Sequence, residues 1–106
     1  MESSFDKLSK GVHAIINRFG NGGGKALLFG SRARGDARSD SDWDLLILLD
    51  KQKIEQDDMD SVSYPIRELG WEIGEHVNPI LFTTGEWLGK ASTPFYKNVM
   101  AEGIEL

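Results

Sequence analysis

The stretch that most constrains this chain runs from Leu27 to Leu49. An apolar run, Ala26 to Phe29, ends in Gly30-Ser31. Ten residues follow, and Asp42-Trp43-Asp44 then opens a second apolar run, Leu45 to Leu49. Two short runs that are apolar on both faces predict neighbouring strands inside a sheet. Glycine at the end of the first lets a phosphate approach the backbone, and the amides after it can form an anion-binding nest. Ser31 adds a hydroxyl, and a helical turn predicted at Arg32 to Gly35 points its positive end at the same anion. Side chains at i and i+2 of a strand share a face. Asp42 and Asp44 therefore converge on one side, while Trp43 and Leu45 turn into packing. Two such carboxylates repel each other unless a cation lies between them. Mg²⁺ suits that place, because it takes one or two carboxylates together with waters and phosphate oxygens. Alone, a Gly-Ser corner is an ordinary turn and an Asp-x-Asp pair is ordinarily solvated. At the ends of consecutive strands they are the parts needed to hold a triphosphate across a metal.

The rest of the chain predicts helix, strand, strand, helix, strand, helix. Phe5, Leu8, Val12, Ile15, Ile16 and Phe19 recur at three- and four-residue steps, an amphipathic helix over 4–19 with Ser3 or Ser4 as N-cap. Gly20 ends it, and Asn21 to Gly24 is a loop in which left-handed backbone costs little. Strands are expected over 25–30 and 42–49, and the acidic stretch 50–58 is expected to be solvated. Met59, Val62, Ile66 and Leu69 keep a helical period up to Gly70. Pro65 interrupts it at about 3 kcal/mol for a helix interior, so a kink or a shorter helix is expected. A third strand lies within 71–82, clearest at Val77 to Phe82. Thr93-Pro94 reads as an N-cap and first helical residue, opening a helix to about Glu102 that Gly103 ends. The fold class is α/β: a small mixed β-sheet with helices packed on it.

Composition narrows the function. A chain of 106 residues is expected to form one domain over 1–106. It has no cysteine, which removes disulfides and thiolate metal sites. No apolar run approaches the roughly 18–20 residues of a membrane span, and the first residues lack the pattern of a signal peptide, so a cytoplasmic location is expected. A net charge of -5 argues against an extended nucleic-acid footprint. Arg32, Arg34 and Arg38 against Asp36 nevertheless make a local excess of +2 beside the corner. Trp43, Trp71, Trp87, Phe95 and Tyr96 are expected in core or interface rather than stacked on bases, and His13 is expected to have no special role.

Gly30-Ser31-Arg32-Ala33-Arg34-Gly35 with Ser41-Asp42-Trp43-Asp44-Leu45 resembles the signature of the minimal nucleotidyltransferases of the polymerase-beta-like superfamily, Gly-Ser, ten residues, Asp-x-Asp. The match spans about residues 26–49. It implies a nucleotidyltransferase fold, Mg²⁺-dependent binding of ATP or another nucleoside triphosphate, and transfer of a nucleoside monophosphate to a hydroxyl with release of pyrophosphate. By position, Gly30 and Ser31, with Arg32 and Arg34, would hold the triphosphate, and Asp42 and Asp44 would bind metal and carry the catalysis. Similar enzymes place a third acidic residue on the next core strand. Here that position reads Asn78, whose carbonyl can ligate a metal but cannot act as a base. Glu75 and His76 lie nearby. Parity puts Glu75 on the opposite face from Asn78 and His76 on the same one. Chains similar to the minimal nucleotidyltransferases often pair with a small helical HEPN protein as a toxin–antitoxin couple. The resemblance therefore also implies a protein partner of that kind, or a second copy, as acceptor or binding target. The alternatives are a working nucleotidyltransferase, a weakened antitoxin that acts by binding, and a catalytic subunit awaiting a substrate-binding domain.

Overall fold

The computed structural model describes residues 2–19 and 23–106. The expected helix stop at Gly20 and the start of the glycine loop lie outside the described residues. Helix α1 (Ser4–Phe19) buries Leu8, Val12 and Ile16, the stripe its periodicity marks. Ser3 is its cap, since its hydroxyl accepts the Asp6 amide at 3.1 Å. Ser4 turns its own hydroxyl to Glu75.

Strands β1 (Gly24–Phe29), β2 (Trp43–Leu49), β3 (Val77–Thr83) and β4 (Ile104–Glu105) form one sheet in the order β3-β2-β1-β4. β1 runs antiparallel to β2 and β4, and β2 runs parallel to β3. A parallel pair needs a crossover. Here it is a helical stretch made of α3 (Gln56–Asp58), a π-helical turn (Met59–Ser63) and α4 (Tyr64–Glu72). The π turn is how the chain accommodates Pro65. The Tyr64 amide bonds to Met59 O, five residues back. Pro65 then falls in the first turn of α4, where no N–H is required. Neither a kink alone nor a shorter helix describes this; one widened turn joins two helical pieces.

Alternation along β2 divides the core. Trp43, Leu45, Ile47 and Leu49 face α1 and the crossover helix, with Val62 and Ile66 opposite them. Leu46 and Leu48 face the other way, onto Trp87 and Val99. Those come from α5 (Thr84–Leu88) and α6 (Pro94–Glu102). Truncating a fully buried residue such as Ile47 to Ala costs about 2–5 kcal/mol, against a typical total of about 5–15. The strand that carries Asp44 is thus also central to the stability of the fold.

Several expectations are corrected here. The 50–58 stretch is not wholly solvated: Asp58 is buried, takes Lys51 Nζ on both oxygens at 3.0 and 2.8 Å, and accepts the Glu55 amide at 2.7 Å. Burial would raise its carboxyl, but the hydrogen bonds and the charge of Lys51 outweigh that and hold it below its ordinary value. His13 sits on α1 as expected, with the Leu106 backbone oxygen 2.6 Å from Nε2. Of the aromatic residues, Trp43 and Trp87 are buried and Phe95 and Tyr96 pack against Trp87. Trp71 is 54% exposed and meets Tyr64 edge-on. Among the described residues, no helix is long and apolar enough to cross a membrane.

Candidate active site

Antiparallel pairing brings the end of β1 to the start of β2, and parallel pairing sets β3 beside it. In register, Phe29, Asp44 and Asn78 form one row across three strands. Gly30 follows directly and turns the chain with φ 78° and ψ −158°. A side chain would be strained there, and its Cβ would lie only 2.6 Å from Asp44 Oδ2. The glycine and the carboxylate therefore fit one another across the strand pair. Ser31–Arg34 (α2) is a single helical turn, stopped by Gly35 in the left-handed region. Gly30 O accepts the amides of Ala33 and Arg34, both at 3.1 Å. The amides of Ser31 and Arg32 precede any intrahelical acceptor, as at every helix start.

Asp42 is exposed at the strand entrance, and Asp44 is half-buried two residues on. Burial raises the Asp44 carboxyl above its ordinary value. A hydrogen bond from Asn78 works against that rise, and the charge of Asp42 adds to it. That bond, Asn78 Nδ2 to Asp44 Oδ1, is 3.5 Å long. Two carboxylates near enough for the charge of one to act on the other, one poorly hydrogen-bonded and neither ion-paired among the described residues, are a donor set that suits a hard divalent cation. No cluster of three His, Cys, Asp or Glu side chains is present among the described residues, because the third strand contributes an amide.

The other candidates separate. Glu75 lies behind the sheet, taking Ser4 Oγ at 3.3 Å and Trp43 Nε1 at 2.7 Å, so it does not reach Asp44. His76 contributes a backbone carbonyl to the Trp43 amide, and its side chain is exposed. Arg32, expected at the triphosphate, is otherwise engaged. It donates to Ser39 O and Ser41 O at 3.1 and 3.0 Å, lies 3.6 Å from Glu75, and sits over the Trp43 ring at 4.6 Å. These contacts brace the 36–42 turn that delivers Asp42. Arg34 stays at the corner, paired with Asp36 at 3.3 Å and Glu102 at 3.2 Å. It borders a cavity of about 260 Å³ that opens beside Gly30 and is lined also by Phe95, Asn98 and Glu102.

Sequence reasoning missed Arg67. Its Nη2 donates to Asn78 Oδ1 at 3.4 Å, which turns the Asn78 carbonyl away from Asp44. Only the spacing from Gly70 to the third strand could have signalled it.

A Gly-Ser corner beside an Asp-x-Asp stretch, on a mixed sheet with a helical crossover to a parallel third strand, has the layout of a nucleotidyltransferase fold. Comparison bears out the class. The family model described as "Polymerase beta, Nucleotidyltransferase" matches residues 24–106, and the chain belongs to that family. No curated protein matches it significantly. Among solved structures, a toxin–antitoxin crystal structure with AMP-PNP is similar over 92% of this chain and 70% of that one, with 18% identity and a TM-score of 0.60. A Sulfolobus solfataricus protein assigned as a nucleotidyltransferase is similar over 99% and 86%, with 23% identity and a TM-score of 0.52. At these identities the likeness is one of fold.

Proposed function

We propose that this chain binds a nucleoside triphosphate, ATP first among candidates, with Mg²⁺, and transfers the nucleoside monophosphate to a hydroxyl acceptor on a partner protein. The observation that carries the reading is the fit of Gly30 to Asp44, which leaves a side-chain-free corner against a poorly hydrogen-bonded carboxylate. Gly30 admits a phosphate to the backbone, and the Ser31 hydroxyl and the first amides of α2 donate to its oxygens. Asp42 and Asp44 would hold the metal, which when bound neutralises charge on the phosphate oxygens. An acceptor oxygen bonds to the α-phosphorus, and the bond to the pyrophosphate breaks. Asn78 takes no proton, so the acceptor's proton passes to solvent at the exposed Asp42 side. Positioning and charge then supply the acceleration. The toxin–antitoxin structure containing AMP-PNP supports both the nucleotide and the protein partner. The test is transfer of label from ATP to co-purified protein in Mg²⁺, native chain against Asp44→Asn; equal labelling removes Asp44 from the reading.

A second reading is favoured by Asn78 itself. An amide tied to Arg67 in the third strand position suits a chain that binds its partner, a HEPN-like protein or a second copy, without rapid turnover. In that case partner capture survives Asp44→Asn undiminished and no label moves.

A further inference from the structure

Among the described residues, Arg67 is a charged side chain at the rim of the site that neither the corner nor the Asp pair accounts for. It lies on α4, three residues before Gly70. Gly70 lets the helix press on the sheet edge so closely that a Cβ there would sit 2.5 Å from Val77 Cγ2. That approach sets Arg67 level with Asn78. Arg67 is half-buried, and the partner of its guanidinium is a neutral amide oxygen at 3.4 Å. Among the described residues no carboxylate lies within ion-pair distance of it, whereas Arg32 and Lys51 each have one and Arg34 has two.

We infer that Arg67 and Asn78 form an anion subsite for a phosphate oxygen of the bound nucleotide, on the β3 side of the corner. The inference rests on the proposed nucleotide site. Its chemistry is specific to the pairing. A carboxylate at position 78 would close on Arg67 as an ion pair and occupy its donors. The amide holds the guanidinium in place and leaves its charge uncompensated. The planar fork of arginine then presents parallel N–H groups to phosphate oxygens, and the second Asn78 N–H can join them. Asn78 is on this account matched to Arg67, and the pair supplies as fixed positive charge part of what a third carboxylate obtains by holding more metal.

The experiment is ATP binding by the full chain at low ionic strength, in EDTA and again in Mg²⁺, with melting curves for every variant. In EDTA, Arg67→Gln weakens binding by about tenfold, the size expected for a lost hydrogen bond to a charged group. Arg67→Lys recovers part of it. Asn78→Asp weakens binding comparably although Arg67 is intact, and its melting temperature does not fall. Lys53→Gln, in the remote 50–58 loop, stays at the native value. Native-like binding by Arg67→Gln and Asn78→Asp overturns the inference. A native chain that binds no ATP in either condition overturns the nucleotide site itself.

Discussion

Two carboxylates flank β2 at the site end of the sheet, on opposite faces, and their surroundings differ in kind. Glu75 accepts from Ser4 and Trp43 and has Arg32 3.6 Å away. Asp44 has one long hydrogen bond from an amide, a second carboxylate nearby, and a glycine where a side chain would have covered it. The first arrangement is closed and fastens α1, β2 and the 36–42 turn together. The second is incomplete in a defined way, lacking positive charge in a place shaped to admit it. The difference separates an acid whose partners fasten the fold from an acid left short of partners, although sequence distance from the motif would suggest either for both.

The largest expected effect breaks the comparison from the Asp44 side. Asp44→Asn lowers nucleotide transfer in Mg²⁺ by at least about a hundredfold, the scale for removing one electrostatic contributor, as read by label transfer from ATP. Its stability should move the other way. Because the Asp44 carboxyl is raised in the folded chain, its contribution is full below the usual carboxylate range and is lost as pH rises through the raised value. The variant should therefore melt no lower than the native chain at neutral pH, and a clear drop there would refute the picture of an uncompensated acid.

Gly30→Ala attacks the fit itself. The positive φ and the approach to Asp44 Oδ2 together should cost about 1–3 kcal/mol, measured by denaturant unfolding, with transfer lost. Asp44→Gly in the same chain should return part of that stability, since it removes the atom the new methyl meets. If the losses simply add, the overlap is not their cause.

Glu75→Gln should reverse the pattern of Asp44→Asn, with about 1–3 kcal/mol of stability lost through its broken hydrogen bonds and ATP affinity kept near native. Loss of binding without loss of stability would invert the assignment of the two acids.

The smallest effect concerns Asp58. Its carboxyl is held below the ordinary value, so its contribution is full above the usual carboxylate range and fades as pH falls through the lowered one. Asp58→Asn should cost about 1–2 kcal/mol at neutral pH, and native and variant melting temperatures should converge in acid. A gap that widens in acid would contradict the sign.

Much of this was legible in the chain, for reasons that can be named. The apolar runs around Gly30 and Asp44 are two-sided because the sheet is covered on both faces, and period and turn residues located β1, β2, α1 and α6. The row of Phe29, Asp44 and Asn78 follows from strand pairing, and parity put Glu75 behind the sheet. What escaped depends on contacts far apart in sequence. Arg32 looks like a phosphate ligand until Trp43, Glu75 and the Ser39 and Ser41 carbonyls surround it. Asp58 looks solvated until Lys51 folds onto it. Helix α5 was readable but unread: Thr83 accepts the Glu86 amide at 3.0 Å and Glu86 accepts the Thr83 amide at 2.9 Å, a capping box spelled out three residues apart. The strand β4 is two residues long, too short for any periodicity to announce.

The widened turn at Met59–Ser63 acts as a phase shifter in the crossover helix. One extra residue within a turn rotates everything on its far side by about 100°. Asp58 upstream can therefore point at Lys51 while Gly70 and Arg67 downstream keep their seats against β3. A straight helix of the same sequence could align one end with its neighbours or the other, but not both. Deleting a single residue from the turn would leave each half as regular as before and set them out of step. The damage should then appear either in the Asp58 anchor or at the rim of the Gly30 corner, and not at the point of deletion.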